Sequence, residues 1–290
     1  MKSKVIQGDC LKVLPTLPPR SVNLVFGSPP YEDARTYDIN FNLKDQEWVD
    51  WMVEVYRACV PRCKGLVAFV MQGRTRKYKW SCTPALLVAD LHRAGFNVRN
   101  PPVYSRIGIP GSGGPDWLRS DYEWVVCVSQ PGRLPWSDNV ACGHDPKWPV
   151  GGKMSHRTKD GKRISRTIKP RGKDGKLLNQ GYRPPKKVNP GNIIRCNAGG
   201  GVMGSRLCHK NEAPFSEKLA EFFVKSFCPP GGIVLDPFSG SGTTCAVAKK
   251  LGRKYIGIDI RESQVELTNQ RLAEIVEETG TESGAKNDCQ

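Results

Sequence analysis

Two short stretches combine residue types that chemistry needs. The first is Asp236-Pro-Phe-Ser-Gly-Ser-Gly-Thr-Thr244, set between the apolar run Ile233-Val-Leu235 and a helical pattern that begins near Thr243. Gly240 and Gly242 let the backbone turn sharply and let a ligand touch it. The helix start behind them offers N–H groups with no partner inside the helix. The next strand ends in Asp259, 23 residues after Asp236. A carboxylate there can grip the two hydroxyls of a ribose, so the stretch predicts a site for a nucleoside-containing cofactor. No Gly-Lys-Ser/Thr follows, which excludes a P-loop. The second stretch is Ser28-Pro-Pro-Tyr31, directly behind the apolar run Val22-Asn-Leu-Val-Phe26. Pro29 and Pro30 stiffen the chain just beyond a strand's carboxyl end, the edge where parallel sheets bind ligands. Ser28 Oγ and the Pro29 carbonyl can accept two N–H bonds while Tyr31 stacks. That trio suits a planar heterocycle carrying an amino group.

Such chemistry works only if both turns lie at one rim of one sheet. The surrounding patterns supply the parts. Val22 to Phe26 and Gly65 to Val70 read as buried strands, with Trp48, Trp51, Met52, Val55, Tyr56 and Cys59 at helical spacing between them. Strand–helix–strand order predicts a parallel sheet. A second helix is expected near Pro84 to Ala94 and a further strand over Tyr122 to Val128. Later in the chain a helix over Ser216 to Phe227 precedes the strand Ile233 to Asp236. A helix near Thr243 to Leu251, the strand Lys254 to Asp259 and a final helix from Glu262 to Glu277 follow. The expected organisation is a first half over 1–131, an insert over 132–204, a second half over 205–278 and a flexible tail over 279–290.

The insert carries most of the charge. Lys plus Arg number 44 against 28 Asp plus Glu, a formal net charge of +16. Between Gly151 and Pro190 stand thirteen Lys or Arg, opposed only by Asp160 and Asp174. One-sided charge of this kind points to a polyanion, and nucleic acid is the commonest one. Arg157, Lys162, Arg163, Arg166, Arg171, Lys173 and Lys176 are the candidate DNA-binding residues. Lys159-Asp-Gly-Lys162 and Lys173-Asp-Gly-Lys176 form a short internal echo in which Asp-Gly favours tight turns. The region therefore reads as two basic hairpins, or as an arm that orders on its partner. No run of 18 apolar residues occurs, so membrane-spanning helices are excluded and a cytosolic protein is expected. The eleven cysteines include no Cys-x-x-Cys, which speaks against zinc and for small buried side chains in a reducing compartment.

Taken together, the two motifs resemble those of the amino-group DNA methyltransferases that use S-adenosylmethionine. Asp236 to Thr244 is similar to that family's cofactor loop, which makes Phe238 and Thr243 cofactor-binding candidates beside Asp236, Gly240 and Gly242. Ser28-Pro-Pro-Tyr31 is similar to its catalytic tetrapeptide. The order of the motifs, catalytic before cofactor with a variable segment between, resembles the β class, whose insert reads the DNA target. Gly8-Asp9-Cys10 resembles that class's opening motif, so Asp9 is expected at the adenine edge with Cys10 beside it, and Asp259 corresponds to the ribose-binding acid. His209 to Leu219 resembles the helix motif near the methionine end, departing from its His-Pro-x-x-Lys-Pro form, with Phe215 and Ser216 as candidates. The resemblance implies a Rossmann-like α/β methyltransferase sheet with a basic target-recognition insert, S-adenosylmethionine as cofactor, double-stranded DNA as partner and no metal. Ser-Pro-Pro-Tyr is more typical of cytosine N4 enzymes than the Asp-Pro-Pro-Tyr of most adenine N6 enzymes, so cytosine N4 is the expected target. Adenine N6 is the first alternative, and a catalytically idle nucleic-acid-binding protein on the same fold is the second. Cytosine C5 chemistry would need a Cys nucleophile, usually after Pro, and the chain has no Pro-Cys dipeptide.

Overall fold

The computed structural model describes residues 1–33, 41–108, 115–147, 154–166, 185–197, 207 and 215–275. Side-chain alternation builds the sheet. In β3 (Cys63–Met71) Leu66, Ala68 and Val70 face one core while Val67, Phe69 and Met71 face the other. A strand buried on both faces reads as one apolar run. Beside it lies β2 (Val22–Gly27), parallel, with Leu24 opposite Leu66. Then come β12 (Ile233–Asp236), with Leu235 opposite Val25, β13 (Lys254–Asp259), and β1 (Lys4–Gln7), with Gln7 opposite Asp259. These five strands are parallel, so their carboxyl ends share one rim.

Beyond β3 the direction changes. β8 (Tyr122–Ser129) runs antiparallel to β3, and β7 (Val103–Ile107) antiparallel to β8. β11 (Ile193–Asn197) is parallel to β7, and β6 (Asn97–Arg99) pairs with β8. The sheet is therefore mixed rather than wholly parallel. Because Met71 pairs with Trp124, the amino end of β8 reaches the rim where β3 ends. β11 lies inside the stretch expected as insert, 132–204. There Ile194 and Cys196 are buried while Ile193, Arg195 and Asn197 are exposed, a half-buried edge strand too short to register as an apolar run.

The helices α2 (Asp45–Cys59) and α3 (Thr83–Arg93) bury Trp48, Met52, Val55, Leu87 and Leu91 against one face. On the other, α4 (Glu217–Phe227) buries Leu219, Phe223 and Val224, joined by Val247 of α5 (Thr243–Lys250). Each such side chain contributes roughly 1.5–3 kcal/mol, so the two cores fix the sheet between its helices. The last helix, α6 (Glu262–Ala273), packs on α5, β1 and β13. It ends before the expected Glu277, and residues from 276 on lie outside the described ones.

Residues Asn139–Gly191 form a compact unit of their own. In it β9 (Met154–Arg157) and β10 (Arg163–Arg166) make an antiparallel hairpin. The turn is the expected Asp-Gly one, with Gly161 at φ 78° and the Thr158 N–H donating to the Lys162 carbonyl. The second echo, Lys173 to Lys176, lies outside the described residues. Among the described residues no helix is long and apolar enough to cross a membrane.

Candidate active site

The pairing of β12 with β2 places Asp236 beside Gly27 at the shared rim. The fit is close: a Cβ on Gly27 would come within 2.2 Å of Asp236 Oδ1. Only glycine can end β2 there, and the turns that begin at Ser28 and at Pro237 leave the sheet side by side. Two motifs more than two hundred residues apart are thus joined.

The catalytic stretch is held by three distant groups. Ser28 Oγ donates to the Val70 carbonyl of β3 at 3.2 Å. Trp48 Nε1 donates to the Pro30 carbonyl at 2.9 Å. The Tyr31 hydroxyl donates to Glu123 Oε2 of β8 at 2.6 Å, and Glu123 Oε1 pairs with Arg106 of β7 at 2.9 Å. Burial, then the Glu123 charge, pushes the Tyr31 hydroxyl well above 10, so it stays protonated and acts as the donor. Burial likewise raises the Glu123 carboxyl, opposed by Arg106 and by Tyr31. Pro29 is buried and its carbonyl has no protein donor among the described residues.

The cofactor-type loop is held from below and behind. Asp236 Oδ1 accepts the Phe238 N–H at 3.0 Å. Asp259 Oδ2 accepts the Gly240 N–H at 2.9 Å, and its Oδ1 accepts the Arg261 N–H at 3.0 Å. Thr268 Oγ1 of α6 donates to the Gly240 carbonyl at 2.8 Å. Gly242 turns at φ 75°, and a Cβ there would meet Thr268 at 2.7 Å, so the position admits only glycine. Thr243 then opens α5. Phe238 packs toward Trp51 and Phe69, with ring centroids 5.6 and 5.7 Å away. At the neighbouring strand end the Gly8 N–H donates to the Asp259 carbonyl, and Asp9 Oδ1 caps α1 (Cys10–Val13) through the Leu11 N–H at 2.9 Å. Cys10 is buried, its thiol pushed up to about 12 by burial and then by Asp9, which makes it a packing residue rather than a nucleophile.

The N6/N4 DNA methylase family matches this chain over residues 22–270. The chain belongs to that family. The methylase is 27% identical over 274 residues to the DNA adenine methyltransferase YhdJ of Escherichia coli (strain K12), covering 92% of this chain and 82% of the relative. Its fold matches that of the PvuII DNA methyltransferase (cytosine-N4-specific), with a TM-score of 0.68, 18% identity and coverage of 97% and 89%. It also matches the M1.HpyAVI complex with S-adenosylmethionine, with a TM-score of 0.53, 18% identity and coverage of 93% and 99%.

S-adenosylmethionine is the methylase's cofactor, and the rim fits it. Asp9, Asp236 and Asp259 are three carboxyls at adjacent strand ends, suited to a ligand that brings hydroxyl and amino donors and a positive sulfonium. Asp259 Oδ1 also pairs with the Arg261 guanidinium at 3.6 Å, while Oδ2, which accepts the Gly240 N–H, keeps a further lone pair for a hydroxyl. Burial, with Asp259 as a lesser cause, raises the Asp236 carboxyl to about 7, against the Phe238 N–H that lowers it. A nearby cation favours its ionised form. Ser241 Oγ in the loop and Gln264 Oε1 on α6 are buried and lack protein partners among the described residues.

Several residues that shape the site carry no motif. Arg271 of α6, fully buried, donates to the Ser241 carbonyl and to Thr243 Oγ1 and pairs with Glu217 of α4 at 2.5 Å. Lys250 pairs with the same carboxyl at 2.7 Å. Glu32, buried directly after Tyr31, accepts from the Asp45 and Arg74 N–H groups and the Ser81 and Thr83 hydroxyls. Phe215 stacks edge-on against Phe26, and Ser216 caps α4 through the Lys218 N–H. His209 to Pro214 lie outside the described residues. In the separate unit, Arg157, Lys162 and Arg163 are exposed on the hairpin and Arg166 is in β10. Arg171, Lys173 and Lys176 lie outside the described residues.

Proposed function

We propose that this methylase transfers a methyl group to the exocyclic N4 of cytosine in double-stranded DNA. The observation that carries the choice of base is Ser28. Its hydroxyl donates to the Val70 carbonyl, which turns its lone pairs outward as acceptors. A neutral hydroxyl can hold an amino group beside a ring lone pair, at cytosine N3 as at adenine N1, and the likeness of Ser28-Pro-Pro-Tyr31 to the form more typical of cytosine N4 enzymes tips the reading to cytosine.

The target base is rotated out of the stack at a cost of a few kcal/mol. Ser28 Oγ and the Pro29 carbonyl then accept its two amino protons and Tyr31 stacks on its face. An exocyclic amine is a poor nucleophile because its lone pair is shared with the ring. The two hydrogen bonds draw the nitrogen toward tetrahedral geometry and localise that pair. S-adenosylmethionine supplies an electrophilic methyl, so no covalent enzyme intermediate is required. Asp9, Asp236 and Asp259 would hold its nucleoside, and the close approach of Gly27 to Asp236 keeps those carboxyls beside the Ser28 turn. Positioning is the main contribution, for which about 7–11 kcal/mol is accessible. Proton loss to water follows.

The basic unit is assigned to the DNA backbone. Arg163 lies directly opposite Arg157 across the β9–β10 pair. Like charges so placed repel, and a phosphate between them removes the repulsion. Adenine N6 is the second reading, favoured by the likeness to an adenine methyltransferase. A non-catalytic binder is disfavoured because three separate bonds hold Ser28 to Tyr31 in place. The test is to incubate mixed-sequence DNA with the protein and S-adenosylmethionine, digest it, and analyse the nucleosides by mass spectrometry. N4-methyldeoxycytidine is expected; N6-methyldeoxyadenosine would select the second reading, and no product at all the third.

A further inference from the structure

We propose that the small hairpin following β3 is a DNA-contacting element separate from the basic unit. Its strands, β4 (Thr75–Arg76) and β5 (Lys79–Trp80), are joined by Lys77 and Tyr78 alone. Arg74, Lys77 and Lys79 are exposed, and Tyr78 at the tip is 79% exposed. Among the described residues the one acid in an ion pair with the hairpin, Asp33, is taken by Arg76 at 2.7 Å. Three cations and one aromatic ring therefore project with no counter-charge among the described residues. That combination fits a nucleic acid backbone with a base face beside it.

The place of the hairpin supports the same partner. It follows directly on the rim end of β3. It is bolted to the residues after the catalytic tetrapeptide: Glu32 accepts the Arg74 N–H at 3.0 Å and the Ser81 hydroxyl, and Asp33 holds Arg76. A two-stranded hairpin is marginal on its own, and Glu32 supplies the anchor.

Backbone strain points the same way. Lys77 and Tyr78 have φ of 47° and 65°, the consecutive positive values of a type I′ turn that Asn-Gly adopts with least strain. Five of the six non-glycine residues with positive φ among the described ones, Asp33, Asp45, Lys77, Tyr78 and Cys82, lie in or beside segments bonded to Glu32 or Asp33. Strain kept where glycine would relieve it indicates that the Lys77 and Tyr78 side chains are needed. The assignment is that Lys77, Lys79 and Arg74 contact phosphates near the flipped nucleotide, and Tyr78 stacks on a base exposed beside it.

This inference rests on DNA being the substrate and not on which base is methylated. The test measures binding of the full-length protein to a pool of fluorescent 30-base-pair duplexes of random sequence across a salt series. Lys77→Ala/Lys79→Ala should lower the slope of log affinity against log salt by about 1.8, at about 0.9 per lost phosphate contact. Tyr78→Ala should weaken binding roughly tenfold, with Tyr78→Phe close to wild type. Tyr78→Gly should melt at the same or a higher temperature and still bind roughly tenfold more weakly, a pairing that a merely structural role would not give. S-adenosylmethionine affinity should be unchanged in every variant. An unaltered salt slope together with Tyr78→Gly binding within twofold of wild type would overturn the hairpin assignment alone. A wild-type protein that fails to bind the duplexes would overturn it together with the reading on which it rests.

Discussion

The two loops that meet at the rim are held by different kinds of neighbour. The Asp236 to Thr244 loop is tied to groups 19 to 30 positions downstream: Asp259, Thr268 and Arg271. The Ser28 to Tyr31 stretch is tied to Trp48, Val70 and Glu123, 18, 42 and 92 positions away. One loop is stabilised within a single βαβα segment. The other becomes rigid only when α2, β3 and β8 have assembled around it. Damage to the first should therefore reach cofactor binding and stability together, and damage to the second should reach transfer while leaving the cofactor bound.

The sharpest break in that contrast is Arg271→Met. It leaves Glu217 with Lys250 alone and strips the loop of its buried donor, so thermal unfolding should show a loss of about 4 kcal/mol. Calorimetry should find S-adenosylmethionine affinity reduced at least tenfold.

Next comes pH. The Asp236 carboxyl sits at about 7 in the folded protein against an ordinary 3.8. Between those values the folded state keeps a proton that the unfolded chain releases. Stability therefore falls as pH rises through this window and levels off above it, by on the order of 4 kcal/mol. Glu123, also raised, adds to the same slope. Asp236→Asn should flatten most of it in melts from acid to neutral pH. A slope unchanged in the variant would place its origin elsewhere.

Smaller again is Glu123→Gln. The amide can still accept from Tyr31 but leaves Arg106 without its counter-charge, at a cost of about 2 kcal/mol. Transfer should slow roughly tenfold with S-adenosylmethionine affinity intact. The fluorescence of 2-aminopurine at the target position should report weaker capture of the flipped base. Equal loss of cofactor affinity would erase the contrast between the loops.

The same contrast explains what could be read from the chain. Gly240, Gly242 and Asp259 stand at fixed spacings from a buried strand, and β2, β3, β12 and β13 show as apolar runs because both their faces are covered. Glu123 looks like any acid at the start of a strand, and its partner Tyr31 is 92 positions away. Arg271 and Glu217 read as charges on amphipathic helices although one is fully buried. β11 is half-buried and short, and the reversal of β8 has no signature in residue types. Gly27 was the missed clue to the meeting of the loops, since a glycine ending an apolar strand marks a close approach.

The union of the two loops in one transfer site is tested most directly by Ser28→Ala, measured in single-turnover methyl transfer to DNA alongside calorimetry of S-adenosylmethionine. Removing one acceptor of the amino protons should slow transfer by about a hundredfold or more, with cofactor affinity within twofold of wild type. Undiminished transfer with the cofactor bound as tightly as before would contradict the assignment of Ser28 to the reacting amine and, with it, the single site.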